Sequence, residues 1–268
     1  MHSLYLETYD ANLRWHEIGQ GDKTVICLPG LSLAAKPCFL PMVSLPVLAG
    51  YRFVMVDFLG SGDSDHAPGF HHSLESHAGL VAEVIEHMAC GPCVVLGYSM
   101  GGSVAIELAL RRPELVSKLI LGEANLLPGG GAASRHIAKF SRADFEREVL
   151  PEMLQSLRRE AIAGDVMREA VEASWSRADP RGIYENAAML VHLSDDFAER
   201  FFGLALPRHF FFGEASLAQG ESADCPAPED LAQHGIHTAV IAGVGHALLY
   251  ANPEGFAEAL RSALDAQH

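Results

Sequence analysis

The sequence predicts an α/β fold interrupted by a helical insertion, and three observations carry that expectation. Short buried runs rich in β-branched residues recur along the chain, separated by turns and helical patterns, the alternation that builds an α/β domain. One of them, Cys93 to Leu96, runs straight into Gly97-Tyr98-Ser99-Met100-Gly101 and then into the helical spacing of Val104 to Leu110. From about Ala132 to Leu206 the strands stop, and charged helical patterns replace them.

The strand-turn-helix around Ser99 is the most informative of the three. A turn this tight presses the residues two before and two after the serine together, so glycine is needed at both places. The turn lifts the hydroxyl above the sheet edge, and the Met100 N–H points from the start of a helix toward the same space, where it can stabilise an oxyanion. This is a nucleophile elbow.

With 268 residues and 49% hydrophobic content, the chain suits one large α/β domain carrying an insertion. Its 19 basic and 34 acidic residues give a formal net charge of -15. Such a surface repels phosphate backbones and anionic membranes, so neither nucleic acid nor a membrane is expected as a partner. Met1 to Glu7 lacks the basic start and apolar run of a signal peptide, and no apolar run approaches a membrane span, so a cytoplasmic protein is expected. Five cysteines, an odd number, argue against a disulfide framework. Cys90-Gly91-Pro92-Cys93 spells a thioredoxin-type motif, but the helical pattern Leu80 to Met88 precedes it and the strand follows, so no helix N-terminus faces the thiols. It reads as a helix-to-strand turn.

Taken in order, Tyr5 to Glu17 alternates as two edge strands joined at Asp10-Ala11-Asn12. Thr24 to Leu28 is a buried strand that runs into Pro29-Gly30-Leu31-Ser32. Tyr51 to Val56 is the next strand and ends in Asp57-Phe58-Leu59-Gly60-Ser61-Gly62-Asp63-Ser64, where Asp57 is expected to satisfy backbone groups of the loop. His66, His71, His72 and His77 match no metal-ligand spacing and are expected in solvent, with Ser73 capping the helix that follows. Arg111-Arg112-Pro113 ends the elbow helix, and Lys118 to Gly122 is a strand with Glu123 at its C-terminal tip, the edge where ligands gather in open α/β sheets. Within the insertion, Phe145 to Arg159, Val166 to Trp175 and Tyr184 to Leu193 read as helices, with Pro151 kinking or restarting the first. Met153, Trp175, Met189, Phe201 and Phe202 are expected to pack between them. His209 to Phe212 and Ile236 to Ile241 are the last strands. Gly243-Val244-Gly245-His246 then delivers a histidine on a glycine-rich loop, and Asn252-Pro253-Glu254 starts the closing helix.

Asp57 to Ser64 as D-x-x-G-x-G-x-S, Gly97 to Gly102 as G-Y-S-M-G-G, the helical insertion and Gly243 to Pro253 as G-x-G-H-x(5)-N-P resemble, in this order, the α/β-hydrolase superfamily over essentially the whole chain. The resemblance implies a mostly parallel eight-stranded doubly wound sheet formed by 1–128 and 207–268, with a helical cap over 129–206. It implies Ser99 as nucleophile, His246 as its base, and the Met100 and Leu31 N–H groups as the oxyanion hole. In relatives the Leu31 loop commonly begins His-Gly, and here Pro29-Gly30 stands instead. The implied reaction is hydrolysis of an ester, thioester or amide of a small molecule, with neither metal nor organic cofactor. Carbon-carbon hydrolases and lyase-type synthases are rarer relatives, and a ligand-binding protein with little turnover is the alternative of another class. Relatives usually seat the triad acid as G-x-x-D after the strand that follows the cap, where this chain has Ser216. Glu123, 24 residues beyond Ser99, occupies the other seat used in the superfamily and is the expected acid, with Glu214, Glu221 and Asp224 as alternatives.

Overall fold

The computed structural model of the chain describes residues 1–219 and 224–266. The described residues form one eight-stranded sheet from β1 (His2–Leu6), β2 (Ala11–Ile18), β3 (Lys23–Leu28), β4 (Tyr51–Asp57), β5 (Cys93–Tyr98), β6 (Val116–Gly122), β7 (Arg208–Gly213) and β8 (His237–Ile241). Their spatial order is β1-β2-β4-β3-β5-β6-β7-β8. β2 runs antiparallel to β1 and β4, and each neighbouring pair from β4 across to β8 is parallel. Parallel strands are covered on both faces, which is why β3 reads as an unbroken apolar run with Thr24 to Leu28 all buried.

Two apolar layers sandwich the sheet. On one face, α1 (Ala35–Val43) and the helix Pro253–Asp265 bring Phe39, Met42, Phe256 and Leu260 against Cys27, Met55 and Phe211. On the other, α2 (Leu74–His87) and α3 (Met100–Arg111) bring Val81, Ile85, Val104 and Leu108 against Ile26, Val54 and Val95. The expected doubly wound α/β architecture is therefore the one found.

Two local expectations at the N-terminus are corrected. The first turn falls at residues 7–10 rather than at Asp10-Ala11-Asn12. Asp10 takes φ 48 and accepts the Tyr5 hydroxyl at 2.6 Å, closing the turn on itself so that Ala11 already belongs to β2. Of these two strands only β1 lies at an edge, because β2 is paired on both sides.

Residues 132–202 contribute helices alone. A π-helical turn, Phe145–Val149, leads into the helix Leu150–Ile162. Pro151 has no N–H to give to the carbonyl four residues back, and the backbone widens just before it. Val166–Trp175 follows, capped by the Asp165 carboxylate, and then Pro180–Val191, capped by Asp179 with proline at its first position. Polar contacts tie this segment to the loops above the sheet. Trp175 Nε1 donates to the Leu31 carbonyl at 2.9 Å, Ala34 N–H to Ser174 Oγ at 3.1 Å, and Asp179 N–H to the Gly60 carbonyl at 2.8 Å. Trp175 thus does more than pack.

His72 and His77, expected in solvent, are 5% and 0% exposed, whereas His66 and His71 are exposed. Helical periodicity places His77 with Leu74, Ala78 and Val81 on the inner face of α2. Ser73 caps that helix as expected, accepting the Ser76 N–H. The two imidazoles pack with Phe58 and Phe70 beneath the Pro180–Val191 helix. There His77 Nε2 pairs with Asn186 Oδ1 at 2.9 Å, and Asn186 Nδ2 donates to Ser32 Oγ at 3.2 Å.

Candidate active site

β5 has β3 and β6 as its neighbours, so the loops leaving the C-terminal ends of these three strands meet. Each loop carries a non-glycine residue at positive φ: Ser32 at 50°, Ser99 at 52° and Glu123 at 40°. Among the described residues only Asp10 and Ala89 share that property. Backbone strain of this kind persists where the surroundings over-determine it, and it collects at functional sites.

The elbow shows what enforces the strain at Ser99. A Cβ on Gly97 would lie 2.5 Å from the Gly101 oxygen, and one on Gly101 would lie 2.1 Å from the Leu28 oxygen. Strand, helix start and the loop after β3 therefore pack backbone on backbone, which sets the chain around Leu31 directly against the elbow. The Ser99 N–H donates to the Gly122 carbonyl at 2.9 Å, and the Ser99 carbonyl accepts the Gly102 N–H at 2.8 Å. Met100 is the first residue of α3, and Leu31 lies half-buried in the facing loop.

Glu123 is fixed from the other side. Its N–H donates to the Phe211 carbonyl at 3.0 Å, and its Oε1 accepts the Gly213 N–H at 2.8 Å, both from β7. His246 arrives on the loop after β8. Tyr98 holds that loop: its hydroxyl donates to the His246 carbonyl at 2.6 Å and its ring stacks on the imidazole, centroids 5.3 Å apart. His246 Nδ1 then lies 2.7 Å from Glu123 Oε2, and Nε2 lies 3.2 Å from Ser99 Oγ.

Charge decides the direction of these bonds. Burial pushes the Glu123 carboxyl up, but the hydrogen bond and charge of His246 and the Gly213 N–H outweigh it, leaving the pKa below its ordinary value. An ionised carboxylate can only accept, so Nδ1–H donates to Glu123 and Nε2 is left with a lone pair for the Ser99 hydroxyl. Glu123 is 2% exposed, Ser99 is 9% exposed, and the His246 side chain is 40% exposed, so the imidazole can meet a molecule from solvent. The arrangement can take a proton from a serine and hold the resulting imidazolium against a buried carboxylate.

The other candidate acids have different partners. Glu214 Oε2 accepts the Gly243 N–H at 2.8 Å, and Asp224 Oδ2 accepts from Asn125 Nδ2. Glu221 lies outside the described residues. Ser216 is fully buried beside Glu123. Tyr98 and Gly213 were not singled out by the sequence. Tyr98 stands inside the elbow motif and carried a readable signal, but the Gly213 N–H is a backbone group with none.

His16, Asp57 and Asp63 are the residues that bring three ligand-type atoms within 4.8 Å of one another among the described residues. Each is already engaged: Asp57 accepts the Ala35 N–H at 2.6 Å and the Asp63 N–H at 3.0 Å, and His16 Nε2 pairs with Asp63 Oδ2 at 2.9 Å. Burial pushes the Asp57 carboxyl up, with the two N–H donors opposing it. Asp57→Asn would turn an NH₂ toward one of those donors. We expect a loss of about 1–3 kcal/mol in urea unfolding with kcat within about tenfold of the parent. A larger kcat loss at unchanged stability would make Asp57 part of the chemistry.

The Alpha/beta hydrolase family model matches residues 25–259. The 2-hydroxy-6-oxononadienedioate/2-hydroxy-6-oxononatrienedioate hydrolase of Escherichia coli K12 is 33% identical over 122 residues, 44% of this chain and 42% of that protein. The aligned chain thus spans less than half of that relative. Two solved structures resemble the whole chain. A thermophilic esterase from Thermogutta terrifontis has TM-score 0.77 at 22% identity, covering 98% of this chain and 97% of that one. A bromoperoxidase from Bacillus anthracis has TM-score 0.81 at 17% identity, covering 99% of each. At these identities the structures speak for the fold, and the family match over most of the chain speaks for descent: the chain belongs to the alpha/beta hydrolase family.

Proposed function

We propose that the chain is a serine hydrolase that cleaves an ester, thioester or amide of a small molecule through an acyl-enzyme on Ser99. Family membership supports an enzyme. The observation that carries the reading is the continuous line from Ser99 Oγ through His246 to the buried Glu123 carboxylate, with bonds of 3.2 and 2.7 Å.

In this mechanism Ser99 Oγ attacks the carbonyl carbon while His246 Nε2 takes its proton, and Glu123 holds the imidazolium. The Leu31 and Met100 N–H groups receive the negative charge that develops on the carbonyl oxygen. His246 gives the proton to the departing oxygen, sulfur or nitrogen. Water, deprotonated by the same imidazole, then releases the acyl group and restores the serine. Residues 129–206 act as a cap above the site, between the core segments 1–128 and 207–268. The sequence similarity to the Escherichia coli hydrolase favours carbon-carbon bond hydrolysis as a second reading on the same residues.

A fluorophosphonate probe tests the first step without knowledge of the substrate. The protein should label rapidly on Ser99 and Ser99→Ala should not label at all. A folded parent that stays unlabelled would instead be a ligand-binding member of the fold. Turnover of p-nitrophenyl acyl esters beside 2-hydroxy-6-oxo dienoic acids then separates the two hydrolytic readings.

A further inference from the structure

Cys90-Gly91-Pro92-Cys93 has no part in acyl transfer. It joins α2 to β5 at the end of the strand opposite Ser99, with Val94 to Tyr98 of β5 between Cys93 and Ser99, roughly 20 Å of extended chain. The Cys90 and Cys93 sulfurs are 3.7 Å apart, and Cys93 Sγ also lies 3.3 Å from the Cys90 carbonyl. Cys90 is half-buried and Cys93 is buried, so Cys90 is the more accessible residue of the pair. The remaining cysteines, Cys27, Cys38 and Cys225, are buried, and burial pushes their thiols up.

We propose that Cys90 and Cys93 form a dithiol exchange site for low-molecular-weight disulfides, with Cys90 attacking and Cys93 resolving. The thiolate is stabilised here without a helix N-terminus, since α2 ends at this segment rather than beginning there. The hydrogen bond from Cys93 acts first and the Arg52 guanidinium adds to it, against burial, and Cys90 is lowered to about 7. Cys93 is raised by the same contact, which keeps it protonated until its partner has reacted.

The exchange balances without any further oxidant. The Cys90 thiolate attacks one sulfur of the external disulfide, a Cys90 mixed disulfide forms, and the first thiolate leaves and takes a proton from water. Cys93 then gives its proton to solvent and attacks Cys90 Sγ. The mixed disulfide breaks and the second thiol leaves, so the protein dithiol is oxidised as the disulfide is reduced to two thiols. Closing the bond brings the sulfurs from 3.7 Å to about 2.05 Å, a movement that side-chain rotation can share. The bridge would enclose four residues, so it adds little to stability and serves exchange rather than stapling.

The test is incubation of the full chain with glutathione disulfide at neutral pH, acid quench, alkylation of remaining thiols and peptide mass mapping. The parent should lose the mass of two hydrogens on the peptide holding Cys90 and Cys93, and no glutathione adduct should persist. Cys93→Ser should trap glutathione on Cys90, Cys90→Ser should leave Cys93 unreacted, and the rate should be half-maximal near pH 7, the value to which Cys90 is lowered. A parent that stays unreacted, or that accumulates a stable Cys90 adduct, overturns the proposal. Because Ser99 is untouched, probe labelling of the oxidised protein should match that of the reduced one.

Discussion

Glu123→Gln should lower kcat on any hydrolysed ester by about 10⁴-fold while the protein stays folded, the loss quoted for removing the acid's charge in a serine protease triad. The amide keeps an oxygen for the Gly213 N–H, which sits 2.8 Å from Oε1 in the parent, so the tip of β6 remains tied to β7. What disappears is the charge 2.7 Å from Nδ1. An NH₂ in that place favours the opposite tautomer, with Nε2 carrying the hydrogen and unable to accept from Ser99. The variant should lose kcat with little change in KM, and circular dichroism should be unaltered. Glu214→Gln keeps an amide oxygen for the Gly243 N–H, and Asp224→Asn disturbs the contact with Asn125. Each should keep kcat within about tenfold of the parent, since neither carboxylate touches His246. A ranking in which Asp224→Asn or Glu214→Gln is the severe variant would move the acid to the later loop.

Why Glu123 was readable, and His72 and His77 were not, is a matter of where the determining contacts lie. The place of Ser99 follows from backbone crowding between residues four apart in sequence, which only glycine relieves, so the motif itself encodes the geometry. Glu123 follows from strand adjacency: β6 pairs with β5 and β7, and the first residue past its end lies between the elbow and the β7 tip. His77, by contrast, owes its environment to Asn186, 109 residues away, and to Phe58 and Phe70. Helical spacing puts it on the inner face of α2, unlike the exposed His66, but no local pattern shows that Asn186 will stand there to pair with it. Nor does the sequence announce helix α1, because Pro37 and Pro41 break the helical pattern, although Pro37 falls in its first turn. The reading of Cys90-Gly91-Pro92-Cys93 as a helix-to-strand turn agrees with the backbone, yet sequence order alone could not give the distance between the sulfurs.

The buried histidines should make the fold acid-labile in a defined window. Burial holds His72 at about 3, helped by the charges of His77, Arg181, His71 and His66, and holds His77 at about 4 against the hydrogen bond it gives to Asn186. In the unfolded chain both return to 6.5. Between these values the unfolded state binds more protons than the folded one, so stability rises with pH through the window and is flat above it. The stabilisation is fully present above about pH 6.5 and is lost as pH falls toward the folded values. At pH 5 each neutral imidazole removes about 2 kcal/mol relative to pH 8, roughly 4 kcal/mol together. Carboxylates with lowered pKa, such as Glu123 and Asp63, begin to act only below their ordinary values of 4.5 and 3.8, so the upper part of the window belongs to the histidines. Urea midpoints at pH 8, 6 and 5 read the effect directly, and His72→Leu should halve the slope between pH 6.5 and 5. The loosening should begin where His77 meets Asn186 and Asn186 meets Ser32, because a charged imidazole there cannot stay packed between Phe58 and Phe70. Hydrogen exchange at pH 5 should therefore rise first in the Pro180–Val191 helix and the Ser32 loop. Equal protection at pH 8 and pH 5, or an unchanged slope in His72→Leu, would mean that these two groups do not carry the acid sensitivity.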